Sequence, residues 1–198
     1  MCILNAMDKL TRAQRAERTK NHIYTTALQL FQKNNYEKVT INQICREAGV
    51  SVGNFYHYFA SKEEVLMVKY LEFDDHLEEL DLTRDVVDCI LDIIYLQAAG
   101  AEEIGSRVFV KMMEIHLDTN GKYVAESRRL NSILRCLAQR GLDEGVFSPS
   151  HTAKEISETI LRTCRGTLFD WSLRDAPYDL ISVSRHDTMV VLNSFLRN

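Results

Sequence analysis

TINQICREAGVSVGNFYHYFASK, residues 40–62, decides the fold. Thr40 with Gln43 three residues later forms a capping box, so a helix begins there. Ile41, Ile44, Cys45 and Ala48 recur at i, i+3, i+4 and i+7, one apolar stripe along about two turns. Gly49 follows the last periodic residue, where glycine takes the left-handed conformation and turns the chain sharply. Ser51 caps the next helix. Its Phe55 and Phe59 share an inward face against Ile44 and Val50, which leaves Ser51, Val52, Gly53, Asn54, Tyr56 and His57 facing outward. Small residues followed by aromatic hydrogen-bond donors suit close approach to another macromolecule. A helix placed so, after a short glycine turn, is the recognition arrangement of a helix-turn-helix. Ser61 and Glu64 form a second capping box, with Lys62 in the first turn of the helix they open. A cation there opposes the helix dipole, and a phosphate held jointly by Lys62 and the helix N-terminus accounts for it.

Working outward, the 198 residues suffice for one good core or two small domains, and 45% hydrophobic with 26% charged residues is ordinary globular composition. The most apolar window, residues 86–101, is interrupted by Asp88 and Asp92 and reads as a buried helix rather than a membrane span. The opening MCILNAMDKL lacks the apolar run and cleavage region of a signal peptide, so a cytoplasmic, soluble chain is expected. Cysteines 2, 45, 89, 136 and 164 are widely spaced, which points to reduced, small apolar residues rather than a disulfide framework or zinc site. The histidines, His76 and His116 among them, show no metal-ligand spacing. No catalytic constellation, metal or cofactor is expected. The net charge of −4 is divided unevenly: residues 8–69 carry ten Lys/Arg against six Asp/Glu, and the remainder 14 against 22. One end is built to meet a polyanion, and the rest to stay clear of it.

With two prolines, eight glycines and little alternation at period two, the chain is expected to be almost all helix. A first helix from about Thr11–Arg18 to Asn34–Asn35 buries Ile23, Ala27, Leu30 and Phe31 and closes a three-helix unit with residues 40–62. From Ser61 a helix runs without a linker toward Leu77 and Leu80, so a shift at one end must move the other. Thr83 is expected to cap a very apolar helix, with a break bracketed by Gly100 and Gly105. Further helices are expected at about 103–117, ended by Asn120–Gly121, and at about 122–140. Two long helices then finish the chain, at about 152–174 and 177–196, the second opened by Asp175-Ala-Pro177.

Thr40-x-x-x-Ile44-x-x-x-Ala48-Gly49-Val50-Ser51, then Phe55-Tyr56-x-Tyr58-Phe59-x-Ser61-Lys62-Glu63-Glu64, resembles the pattern of the tetracycline-repressor-type (TetR) family of bacterial regulators over roughly residues 17–76. Gly141-Leu-Asp-Glu-Gly145-x-Phe147 and Gly166-x-x-x-Asp170-Trp171 also recur in some members. The resemblance implies an all-α homodimer. Residues 16–76 would form a helix-turn-helix DNA-binding domain, and 77–198 a helical bundle that binds a small-molecule effector and dimerises through its last two long helices. Carried over by position, Thr40 touches a phosphate, Ser51, Val52, Gly53 and Asn54 lie nearest the bases, Tyr56 and His57 meet the DNA backbone, and Lys62 meets a phosphate. The chemistry agrees: Asn54 suits a bidentate pair with adenine and Val52 a thymine methyl, while backbone contacts position without specifying.

The function expected is a ligand-responsive regulator, a repressor that binds a palindromic operator in double-stranded DNA and is released by a small apolar or aromatic effector. An activator of the same family and a helical interaction adaptor are the rivals. An enzyme would need clustered catalytic groups, which the spacing does not supply. Aromatic, methionine and histidine side chains on bundle helices line apolar cavities well, which nominates Tyr70, Tyr95, Phe109, Met112, Met113, His116, Tyr123 and Phe169 for the pocket. The apolar stripes of the last two helices nominate Ile160, Cys164, Leu168, Trp171, Val191, Leu192 and Phe195 for the dimer interface.

Overall fold

The computed structural model describes residues 11–118, 129–174 and 178–197, without the side chains of Lys69, Leu71 and Glu72. The described residues are helical, joined by short turns and one isolated antiparallel bridge between Phe147 and Leu196. The chain divides into two compact units, one up to Leu66 and one from Met67 onward. The expected ends at Asn120–Gly121, the region of 122–128, and the start at Asp175-Ala-Pro177 lie outside the described residues.

In the first unit α1 (Arg12–Lys33) opens on a full capping box, in which Gln14 N donates to Thr11 Oγ1 at 3.2 Å and Thr11 N to Gln14 Oε1 at 2.8 Å. It buries Ile23, Tyr24, Ala27, Leu28 and Phe31. A 3-10 turn, Tyr36–Lys38, sets the Tyr36 ring 4.9 Å from that of Phe31. The helices α2 (Ile41–Ala48) and α3 (Val52–Tyr58) follow. Gly49 between them has φ 64°, the left-handed geometry that lets its N–H reach back to carbonyls at the end of α2. Phe55 and Phe59 are fully buried, each stabilising by about 1.5–3 kcal/mol relative to exposure, which is what holds so short a helix in place. The next helix, α4 (Lys62–His76), carries the chain past the division between the units. Ser61 Oγ accepts from Glu64 N as a cap should, but the Glu64 carboxylate accepts from Ala60 N, one residue earlier than an ideal box.

The second unit is organised on α5 (Val86–Ile104), which buries residues around most of its circumference. It packs on α6 (Ser106–Asp118), α7 (Arg129–Asp143), α8 (Ala153–Ser172) and α9 (Leu180–Phe195), while α8 also packs on α6, α7 and α9. Several expected boundaries move. Asp85, not Thr83, caps α5, accepting from Val87 N and Asp88 N; Thr83 is occupied with Asp81 in the preceding turn. Gly100 lies within α5, and the break comes only at Gly105 with φ 87°. Asp179 caps α9, where Glu102 also accepts from Leu180 N at 3.0 Å and so ties α5 to α9. At the end of α7, Phe147 stacks on Gly141, where any Cβ would run into its ring. Ser148 N and Arg197 N then donate to Phe195 O and Val146 O at 2.8 and 2.9 Å, which pins the C-terminal residues to this turn.

Candidate DNA-binding surface

The N-terminus of each helix of the α2–α3 pair is held by a local hydrogen bond. Thr40 Oγ1 accepts from Gln43 N at 3.2 Å and Ser51 Oγ from Asn54 N at 3.1 Å. With Phe55 and Phe59 locked beneath, α3 turns Val52, Gly53, Tyr56 and His57 to the exterior, and Asn54 is partly exposed beside them. Tyr56, 54% exposed, leans edge-on against the buried Phe55 at 5.6 Å between centroids, an aromatic with its hydroxyl free to meet a partner. Beyond Gly53 a Cβ would meet nothing closer than Ser51 Oγ at 4.0 Å, so this part of the helix has the least relief. The outward face of α3 is thus made of small and polar side chains, which suits a groove. The sequence-predicted residues Ser51, Val52, Gly53, Asn54, Tyr56 and His57 are thus brought onto one surface, and Thr40 is exposed at the start of α2.

Lys62 is different. Its ammonium donates to the carbonyls of Tyr36 at 2.9 Å and Val39 at 3.1 Å and sits 4.0 Å from the centre of the Tyr36 ring. Within this unit the Lys62 ammonium is thus held by two carbonyls and a π-face at the α4 terminus. Next to it the Tyr36 hydroxyl donates to Glu63 Oε1 at 3.1 Å. Burial, reinforced by the Glu63 charge, pushes the phenol well above its ordinary pKa. Burial acts to raise Glu63 too, but hydrogen bonds from its backbone, Ser61 and Tyr36, with the Lys62 charge, hold it below the usual carboxylate value. The pairing of Tyr36 with Lys62 and Glu63 had no local signal in the sequence, since about 26 residues separate the partners.

The residues from 23 to 67, from the middle of α1 to the start of α4, match the model of the bacterial regulatory proteins, tetR family. A Pseudomonas putida relative, the uncharacterized HTH-type transcriptional regulator TtgW, is 38% identical over 132 residues, covering 67% of this chain and 81% of that protein. The chain belongs to the TetR family. Among solved structures, the TetR-family regulator PfmR from Thermus thermophilus superposes with a TM-score of 0.64 at 25% identity, covering 86% of this chain and 97% of that one. FadR from Bacillus subtilis, in complex with stearoyl-CoA, gives 0.64 at 21%, covering 88% and 98%. As a TetR-family protein the chain is a DNA-binding transcription regulator with an N-terminal helix-turn-helix and a C-terminal helical domain. No helix among its described residues is long and apolar enough to cross a membrane.

Within the second unit of this TetR-family chain the two remaining residue sets sort differently. Of the expected pocket, Tyr70 and the buried His116 meet edge to face at 4.3 Å, Met112 is buried, Met113 is partly buried, and Phe109 lies 6.3 Å from Trp171. Tyr95 and Phe169 are each 53% exposed. Tyr123 lies outside the described residues. The expected dimer residues sit in or against the core of their own chain. Ile160, Cys164, Leu168, Trp171, Leu192 and Phe195 are buried in the core shared by α5, α7, α8 and α9, and Val191 packs against it. The strongest apolar stripe of each helix serves its own chain. What the sequence reading missed are exposed residues on the other side of these helices: Gly166 and Phe169 on α8, Leu173 just past its end, and Val190 on α9.

Proposed function

We propose that this TetR-family regulator represses transcription as a homodimer on a palindromic operator and is released when a small apolar molecule enters its C-terminal bundle. The observation that carries the reading is the low, outward α3 face of Val52, Gly53, Asn54 and Tyr56 set on two fully buried phenylalanines. Asn54 and Val52 read base edges there, with Ser51 and Gly53 beside them nearest the bases, while Thr40, Tyr56 and His57 hold the backbone. Residues 16–76 act as the DNA-binding part, and 77–198 as the part that senses and dimerises.

The proposed dimer face is the exposed stripe of Phe169, Leu173, Gly166 and Val190. Large apolar side chains more than half exposed on adjoining helices are the kind of surface a second copy covers, and Gly166 allows close helix approach. Two recognition helices related by a two-fold axis then fall about 34 Å apart, one turn of DNA. The proposed effector site lies around Tyr70, Phe109, Met112, Met113 and His116. The stearoyl-CoA bound by the Bacillus subtilis FadR supports an apolar chain as the occupant. A coupling of about 1–3 kcal/mol between effector and operator weakens DNA binding about 5- to 150-fold.

Selection of binding sites from random duplex DNA tests this reading. Inverted repeats with half-sites about 10 base pairs apart are the expected product; unrelated single sites, or no enrichment, contradict it.

A further inference from the structure

The positive charge of residues 8–69 is not in the helix-turn-helix. Residues 23–69, which take in α2, α3 and the start of α4, hold five Lys/Arg and four Asp/Glu, whereas residues 12–22 hold four Lys/Arg and one Glu. The outward face of α3 has no Lys or Arg, the Lys62 ammonium is held by the carbonyls of Tyr36 and Val39, and Arg46 lies 3.3 Å from Glu47. Binding to duplex DNA draws much of its strength from cations that neutralise phosphates. In this unit such cations are concentrated on the front of α1.

Packing does not account for that front. Residues 12–22 make about three helical turns in which no side chain is buried, and the buried residues of α1 begin at Ile23. A helix polar all round gains nothing from burial, and cations in its first turn oppose the helix dipole. Arg12, Arg15 and Arg18 are exposed and follow one another at i, i+3 spacing, so their like charges are neighbours. Glu17, two residues from Arg15, lies on another side of the helix. A polyanion laid along the three arginines offsets each of these costs.

We propose that Arg12, Arg15 and Arg18 form a second DNA contact, made to phosphates alone. Guanidinium forks take phosphate oxygens two at a time and read no bases, so this contact supplies affinity and leaves the choice of sequence to α3. α1 packs on α2 within the same compact unit as α3. The contact rests on DNA binding as such and not on the dimer, the operator or the effector.

The experiment is fluorescence anisotropy of the full chain on a labelled duplex of mixed sequence, over about 50–200 mM salt. Arg12→Gln, Arg15→Gln and Arg18→Gln should each reduce the slope of log affinity against log salt by about 0.9, and the triple variant by about 2.7. Glutamine keeps a helix propensity close to that of arginine, and circular dichroism checks the helix. Arg15→Lys should retain the slope. Lys33→Gln, which removes a charge from the other end of α1, should leave it unchanged. A triple variant with the wild-type slope overturns the proposal. So does a Lys33→Gln slope lowered as much as that of Arg12→Gln, because net charge rather than contact would then be at work. Binding to phosphatidylglycerol vesicles that the triple variant loses, with DNA binding intact, overturns it in favour of a membrane surface. Wild-type binding that is insensitive to salt overturns DNA reading by α3 together with this contact, whereas an unchanged triple variant of a salt-sensitive wild type removes the contact alone.

Discussion

The Lys62 ammonium donates to the Tyr36 carbonyl at 2.9 Å while lying 4.0 Å from the centre of the same residue's ring. One side chain at the start of α4 thus grips both the backbone and the π-face of the turn between α1 and α2, and a third contact at 3.1 Å reaches Val39 O. Tyr36 returns the connection through its hydroxyl to Glu63. The first turn of α4 is thus fastened by side chains to the turn between α1 and α2.

Replacing Lys62 with Met should therefore weaken the fold before it weakens a phosphate contact. Two charge-assisted hydrogen bonds and a cation–π contact are lost, which amounts to about 1–3 kcal/mol at a partly exposed site. Urea denaturation should show that loss. The slope of log affinity against log salt should stay unchanged; a slope reduced by about one would return Lys62 to the phosphate.

Asn54 should act on sequence preference rather than on general affinity. Its backbone N–H donates to the Ser51 cap whatever its side chain, so Asn54→Ala leaves the helix intact and removes only the side-chain amide. Discrimination at one base pair should fall by about 1–3 kcal/mol in binding to single-substituted operators. An unchanged preference would remove Asn54 from base reading.

Opposite faces of α8 should give opposite phenotypes. Trp171 is 4% exposed and inside the core, so Trp171→Glu should abolish cooperative unfolding. Leu173 is 62% exposed, so Leu173→Glu should leave the helical content intact and convert a dimer to a monomer in sedimentation equilibrium. A Leu173→Glu protein that remains dimeric would exclude the proposed face.

Cys164 donates to Gln97 Oε1 at 3.1 Å, and burial pushes its thiol from 9.0 up to about 12. The folded thiol stays protonated where an unfolded one ionises. Its stabilising effect is thus complete below pH 9 and lost as pH rises from 9 toward 12. Peptide mapping after alkylation at pH 8 should find Cys136, which is exposed, modified long before Cys164. Equal labelling of the two would contradict the burial.

The parts of the fold that were readable in the sequence are those written in local chemistry. Thr11, Thr40, Ser51 and Gly49 each cap or end a helix through neighbours within four residues, and all four do so in the structure. Asp85 displaced Thr83 because two candidate caps lay two residues apart, and Asp81 engaged the threonine first. Gly100 did not break α5 because packing on the other helices overrides the small cost of one glycine. Periodicity identifies an apolar stripe on α8 but not what the stripe faces, and the chain spent it on its own core. The grip of Lys62 on Tyr36 was invisible because it joins distant parts of the chain.

The most direct measurement is fluorescence anisotropy of the full chain on the palindrome recovered by selection, and on the same duplex with one half-site scrambled, over about 50–200 mM salt. Affinity on the palindrome should fall steeply and linearly in log–log form, and the scrambled half-site should cost a large part of the specific binding. Equal affinity for both duplexes, or binding insensitive to salt, would contradict a helix-turn-helix dimer that reads DNA through α3.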